Sequence, residues 1–274
     1  MAISLFDQLC TIVWYKTVAM ALNAQNPNAV ATKIDELRAK DYADRGVSTP
    51  PSFDVKSFAP YANGKTTPSK ATLHLVDSLL ASSVANTAYT FTNGPFREAA
   101  VITIGGERHV RYGVTELWTA LAGTEIGLRT ILEHYNKDIR KMQVYGHADV
   151  LDLALKLVDW LPIDEVWEVV GHEGLGKRVE EIVSQHAYYK FTMDDLTVIV
   201  CLFRLSMQTR SHFPLFNNIM NGLYARAIPR LMDQFGVSDK FIYYLRAIAN
   251  HYFLYLKKVE AGTLTEDDSP LVLY

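Results

Sequence analysis

Helix punctuation is the feature that most constrains this chain. From residue 124 onward, start and stop signals recur at helix-length intervals. Thr124-Glu125 opens a segment 125–141, and His147-x-Asp149 caps an amphipathic stretch that runs to Asp159. Pro162 opens 163–170 and Gly171 closes it, and a further segment covers 175–187. Thr192-x-x-Asp195 has the pattern of a capping box and opens 193–208. Pro214 sits in the first turn of 214–234, and Gly236 lies beyond its end. Ser238 caps 239–260, and Gly262 stops it. Pro229, inside 214–234, lacks an amide N–H, so a kink or break is expected there.

The first half reads as helix with two interruptions. Residues 3–22 form an amphipathic or largely buried helix; Asp7, Gln8 and Lys16 break the apolar run, and no basic residue precedes it, so it does not read as a signal peptide. Asn26-Pro27 starts a helix over 28–44 that ends at Gly46. Four prolines and two glycines then mark a long Pro-rich loop at 46–70, whose Phe53, Phe58 and Tyr61 can dock on a surface. Helical spacing returns over 70–86, with Ser69 as its cap. The β-branched run Ala-Ala-Val-Ile-Thr-Ile (99–104), Gly105-Gly106 and then Arg-His-Val-Arg-Tyr (108–112) indicate a small β-hairpin near 99–112. The fold class that follows is all-α, mostly helical and two-lobed, with that one hairpin and that one loop. The expected organisation is an N-terminal arm and lobe at 1–123, a helical lobe at 124–260 and a tail at 261–274. With 49% hydrophobic and 21% charged residues, the 274-residue chain can fill a substantial core, and wholesale disorder is excluded.

Motifs that carry chemistry are few. Gly171-His-Glu-Gly-Leu-Gly176-Lys177 satisfies the spacing of a phosphate cradle. However, Arg178 stands where a hydroxyl should hold magnesium, Glu173 puts a carboxylate in the anion site, and the preceding residues read as helix. The eight histidines form neither a His-Glu-x-x-His nor a Glu-x-x-His pattern, so no metal and no cofactor are expected. No Gly-x-Ser-x-Gly elbow is present. The acidic stretch 148–195 reads as solvated helix faces. Cys10 and Cys201 sit among apolar neighbours as buried thiols, which suits a reducing, cytoplasmic compartment. No run reaches the roughly 18 apolar residues of a membrane span. Arg246-x4-His251 has a spacing that resembles a family of small helical ribonucleases, but Ala247 replaces that family's polar residue and the offset splits the side chains between faces.

Charge distribution is more informative than the net charge of −3. Residues 200–258 hold eight cations (Arg204, Arg210, Arg226, Arg230, Lys240, Arg246, Lys257, Lys258) against Asp233 and Asp239, a local excess of +6. Residues 259–274 hold four carboxylates and no cation. The cations are interleaved with aromatics, and arginine forks onto phosphate while aromatic faces accept unstacked bases. The candidate nucleic-acid contacts are therefore Arg204, Arg210, Arg226, Arg230 and Arg246 with Tyr224, the hairpin's Arg108 and Arg111, and the cluster Lys137, Arg140 and Lys141. The apolar end Leu271, Val272, Leu273, Tyr274 is costly to leave in water and reads as an oligomerisation arm.

In plan, two helical lobes with a basic groove and terminal arms, the chain resembles the helical nucleocapsid or coat proteins of RNA viruses. That resemblance implies a non-catalytic, self-assembling protein that coats single-stranded RNA non-specifically, associates with itself through its terminal arms, and is cytoplasmic or carried in a virion. The competing readings are a helical enzyme whose site is assembled from distant His and Glu residues, and a helical adaptor that binds protein.

Overall fold

A computed structural model describes residues 3–48, 58–83, 100–104, 107–111, 115–122, 125–135, 149–170, 176–265 and 268–269. These residues are predominantly α-helical, and no helix among them is long and apolar enough to cross a membrane. The chain divides into two compact units, Met1–Thr115 and Glu116–Tyr274. The division falls before the expected 123 because helix 115–122 carries Trp118, which packs edge-on against Phe241 of the last helix at 6.3 Å.

In the first unit, α1 spans Leu5–Ala21 and α2 spans Pro27–Asp44. Ser4 caps α1 by accepting from the Asp7 amide (3.0 Å), and Asn26 caps α2 by accepting from Ala29 (2.9 Å), with Pro27 at the first helical position. Each cap satisfies an amide that the helix itself leaves unpaired. Lys33 Nζ donates to the carbonyls of Leu22 and Asn23, which ties α2 to the C-terminal end of α1. Residues 49–57 of the expected Pro-rich loop lie outside the described residues. The part that follows is not all loop: a short helix, α3 (Ala59–Ala62), forms there with Pro60 in its first turn, where a missing N–H costs nothing. Phe58 is fully buried, parallel to Trp14 at 6.5 Å, and Tyr61 meets Trp14 edge-on at 5.6 Å. These rings join Val18, Val30, Ile34 and Leu80 in one core. Gly64 lies against α1: its φ is +62° and a Cβ there would stand 3.1 Å from the Gln8 carbonyl, so only glycine fits. α4 runs over Lys70–Ser83, with Ser69 Oγ accepting from the Thr72 amide. Strands β1 (Ala100–Ile104) and β2 (Glu107–Arg111) pair antiparallel, with Val101 opposite Val110.

The second unit holds α5 (Thr115–Ala122, beginning one residue before the division), α6 (Glu125–Tyr135), α7 (Val150–Leu157), α8 (Ile163–Val170), α9 (Gly176–Lys190), α10 (Met193–Thr209), α11 (Phe213–Tyr224), α12 (Ala227–Met232), a 3-10 turn (Asp233–Phe235) and α13 (Ser238–Ala261). The expected extension of α6 to 141 lies outside the described residues. α10 is its central helix: every residue from Leu196 to Met207 is buried, and it packs on α6, α7 and α11. A helix apolar on every face belongs in such a position. Its capping box closes as drawn, with Thr192 accepting from the Asp195 amide and Asp195 accepting from Thr192. α9 and α11 approach closely at Gly222, where a Cβ would stand 2.7 Å from Val183 Cβ.

Two helix boundaries differ from expectation. The segment 214–234 breaks at Ala225-Arg226 rather than at Pro229, so the proline lies in the first turn of α12, where its ring needs no donor. Ser238 does not cap α13; Val237 holds that position, and the Ser238 hydroxyl donates to Asp233 Oδ1 at 2.6 Å.

Candidate nucleic-acid interface

The five arginines proposed as phosphate contacts all lie in the second unit, but they are not equivalent. Arg204 sits on buried α10 and is 2% exposed. This corrects its assignment, because a phosphate in solvent cannot reach it. Burial lowers its pKa, opposed by Tyr244 and Cys201 nearby. Tyr224 is corrected for the same reason: it is buried at the end of α11 and cannot offer a face to a base. Burial pushes its phenol up, and the neighbouring Arg246 opposes that shift. Most of the other interleaved aromatics are core as well, namely Phe203, Phe213, Phe216, Phe235, Phe241, Tyr244, Tyr252 and Tyr255, whereas Tyr243 and Phe253 of α13 are exposed.

Three of the remaining arginines rest on neutral groups. The Arg246 guanidinium lies 5.1 Å from the Tyr224 ring centroid. Arg210 lies 5.6 Å from the Tyr255 ring centroid and donates to that phenol's oxygen at 2.6 Å. Arg230 donates to the Phe191 carbonyl. None of the three has a carboxylate partner among the described residues. All three residues are exposed, on α13, at the α10 C-cap and on α12. Arg226 is also exposed, at the break between α11 and α12. Aromatic and carbonyl partners fix a guanidinium without cancelling its charge. Such groups are preorganised for an anion. Lys258, in contrast, is neutralised by Asp268 at 2.5 Å.

The arginines fall at the two ends of α11. Arg246 and Arg226 stand beside its C-terminal Tyr224, and Arg210 precedes its start. A helix of 12 residues separates the two groups by about 18 Å. Arg108 and Arg111 lie on β2 in the first unit, opposite Thr103 and Ala100. Their side chains, and all of Lys137, Arg140, Lys141 and Leu271–Tyr274, lie outside the described residues.

Compared with known protein families, curated proteins and solved structures, the chain has no match. Its chemistry is therefore read from its own side chains alone.

Sequence reasoning missed one polar cluster. Asp149 caps α7 by accepting from the Leu151 amide at 2.8 Å. Its Oδ1 also lies 2.7 Å from His212 Nε2, and its Oδ2 accepts from Ser211 Oγ at 3.2 Å. The His212 ring stands edge-on to Trp167 of α8 at 4.5 Å. Arg210 and His212 both have positive φ (+56° and +59°), a conformation uncommon outside glycine. The cluster thus joins α7, α8 and the tight α10–α11 turn. Asp149 is separated from His212 by more than sixty positions, and no local pattern signals the pairing.

Other candidates place charge unfavourably for an anion. An open hollow of about 630 Å³ is lined by Leu155, Trp160, Ile163, Asp159, Asp164 and His186, and its two carboxylates repel a phosphate. Lys177 and Arg178 are exposed in the first turn of α9, but the element before the near-cradle is helix α8, not a strand. His251 Nε2 lies 2.8 Å from the Ser269 carbonyl while Arg246 rests on Tyr224, so those two side chains do not converge. Among the described residues, no group of three His, Cys, Asp or Glu could hold a metal.

Proposed function

We propose that this chain is a self-assembling protein that coats single-stranded RNA without sequence preference. The reading rests on one observation: Arg210, Arg230 and Arg246 are held by a phenol, a carbonyl and an aromatic ring, with their charge left uncancelled. Around them, residues 200–258 carry a local excess of +6. Fixed guanidinium groups bind phosphates with little loss of side-chain freedom, and their planes also stack on splayed bases. The buried aromatics act indirectly, as seats for the arginines. Contact with the backbone alone carries no sequence information, which suits a coat. Terminal arms would join neighbouring copies.

The test is binding of a labelled single-stranded oligonucleotide across a salt series. For single strands the slope of log K against log salt is about −0.7 per neutralised phosphate. Each of Arg226→Ala, Arg230→Ala and Arg246→Ala should weaken binding and flatten that slope. Binding that ignores salt, or that survives all three changes, refutes the reading. Native mass measured with and without oligonucleotide then tests assembly.

A further inference from the structure

We propose that the solvent-facing row of α13 is a self-complementary interface. It pairs antiparallel with the same row of a second copy of this chain, about a two-fold axis at residues 248–249. The pairing requires neither RNA nor the terminal arms, so it stands apart from the coating reading.

The apolar groups of the row are symmetric about that point. Tyr243 is 66% exposed and Leu254 is 61% exposed. They lie about three turns apart on one face of α13, and the half-buried Ala247 and exposed Asn250 lie between them on the same face. The opposite face is core, with Leu245, Ile248, Tyr252 and Tyr255 buried. Tyr243 with Leu254, and Ala247 with Asn250, share one midpoint. A two-fold axis there sets Tyr243 of each copy on Leu254 of the other, and Ala247 on Asn250. Two large apolar groups per chain thereby leave water. The small alanines let the helices close. The two Asn250 side chains stand about 4.5 Å apart along the helices, and a lone polar residue in a helix seam fixes its register.

The charges of the row are centred on the same place. Asp239 and Lys257 are exposed and lie about five turns apart on one row. Neither has an ion-pair partner among the described residues. The same axis brings Asp239 of each copy to Lys257 of the other, which makes two ion pairs. Lys240, on the flank, meets Lys258 of the second copy, whose charge Asp268 already cancels. A parallel pair would instead set Lys257 against Lys257, Arg246 against Arg246 and Asp239 against Asp239. Charge complementarity therefore selects the antiparallel arrangement.

The test is sedimentation velocity without oligonucleotide, over a wide range of protein concentration. The full chain and a chain ending at Ser269 should both form a dimer whose fraction rises with concentration. Leu254→Glu should raise the dissociation constant about tenfold or more, with helical content unchanged by circular dichroism. Asp239→Lys and Lys257→Asp should each weaken the dimer several-fold, and the two together should restore it. Disulfide trapping reads the register, since Cys10 and Cys201 are buried and do not compete. Asn250→Cys should give a covalent dimer under mild oxidation. Lys257→Cys should not, because its two copies would lie roughly 25 Å apart. A full chain that stays monomeric, a dimer lost on truncation at Ser269, or one indifferent to Leu254→Glu would overturn the interface. So would charge reversals that fail to rescue each other, or equal linking at 250 and 257. Every readout omits RNA, so failure here and failure of RNA binding remain distinct.

Discussion

Asp149 holds His212: Oδ1 and Nε2 lie 2.7 Å apart, bringing the start of α7 to the turn between α10 and α11. The same carboxylate caps α7 and accepts from Ser211. Removing an N-cap alone costs about 0.5–2 kcal/mol. Asp149→Ala should therefore lower unfolding free energy by about 1–2 kcal/mol, more than His212→Ala does. A double-mutant cycle by urea denaturation isolates the pair, and a coupling energy near zero would show that the two side chains stand close without acting together.

Arg204 and the surface arginines should separate cleanly into stability and binding. Arg204 is buried in the central helix, so Arg204→Ala leaves a cavity and removes buried polar contacts; about 2–4 kcal/mol of stability should be lost. The folded fraction should keep the wild-type salt slope for an oligonucleotide. Arg246→Ala should do the reverse, with a change in melting temperature small beside its loss of affinity. A large effect of Arg204→Ala on the salt slope would contradict the assignment of that side chain to the core.

Local chemistry made much of the fold legible. Asn26-Pro27, Thr192 with Asp195, and Gly262 each act within a single turn, so their patterns read directly as helix ends. The break near Pro229 was visible as an event but not in place, because a proline fits a helix's first turn as well as it ends one. The site was less legible. Composition shows that residues 200–258 are basic and aromatic, but not which cations are inside. Arg204 and Arg210 lie six positions apart on one segment, yet one is core and the other is held on Tyr255 from the surface. That difference is set by which neighbours cover each helix face, and the pairing of Asp149 with His212 is likewise decided by packing across the second unit.

Among the described glycines, Gly222 makes the closest approach to a neighbouring helix. An added Cβ would meet Val183 Cβ at 2.7 Å and the Glu180 carbonyl at 2.8 Å, both on α9. Neither belongs to a flexible side-chain end, so α9 and α11 must separate. Overpacking of this kind costs about 1–3 kcal/mol. Gly222→Ala should fall in that range by chemical denaturation, although alanine is otherwise the better helix former. A neutral or stabilising result would mean that α9 and α11 pack less closely than these distances.

The tether of the C-terminal segment should be acid-resistant. Asp268 is held at about 2, below its ordinary 3.8, by hydrogen bonds from Lys258, the Thr265 amide and the Thr265 hydroxyl. A carboxylate depressed by folding contributes its stabilisation above the unfolded value and loses it as pH falls through the folded one. The contact should therefore be complete at neutral pH, weaken below about 3.8 and be gone only below about 2. Lys258→Ala removes the first of those hydrogen bonds and should move the midpoint toward the ordinary value. Carboxyl chemical shifts followed through an acid titration report it directly. A wild-type Asp268 midpoint at 3.8 or above would show that the segment is not tied to α13 at Lys258.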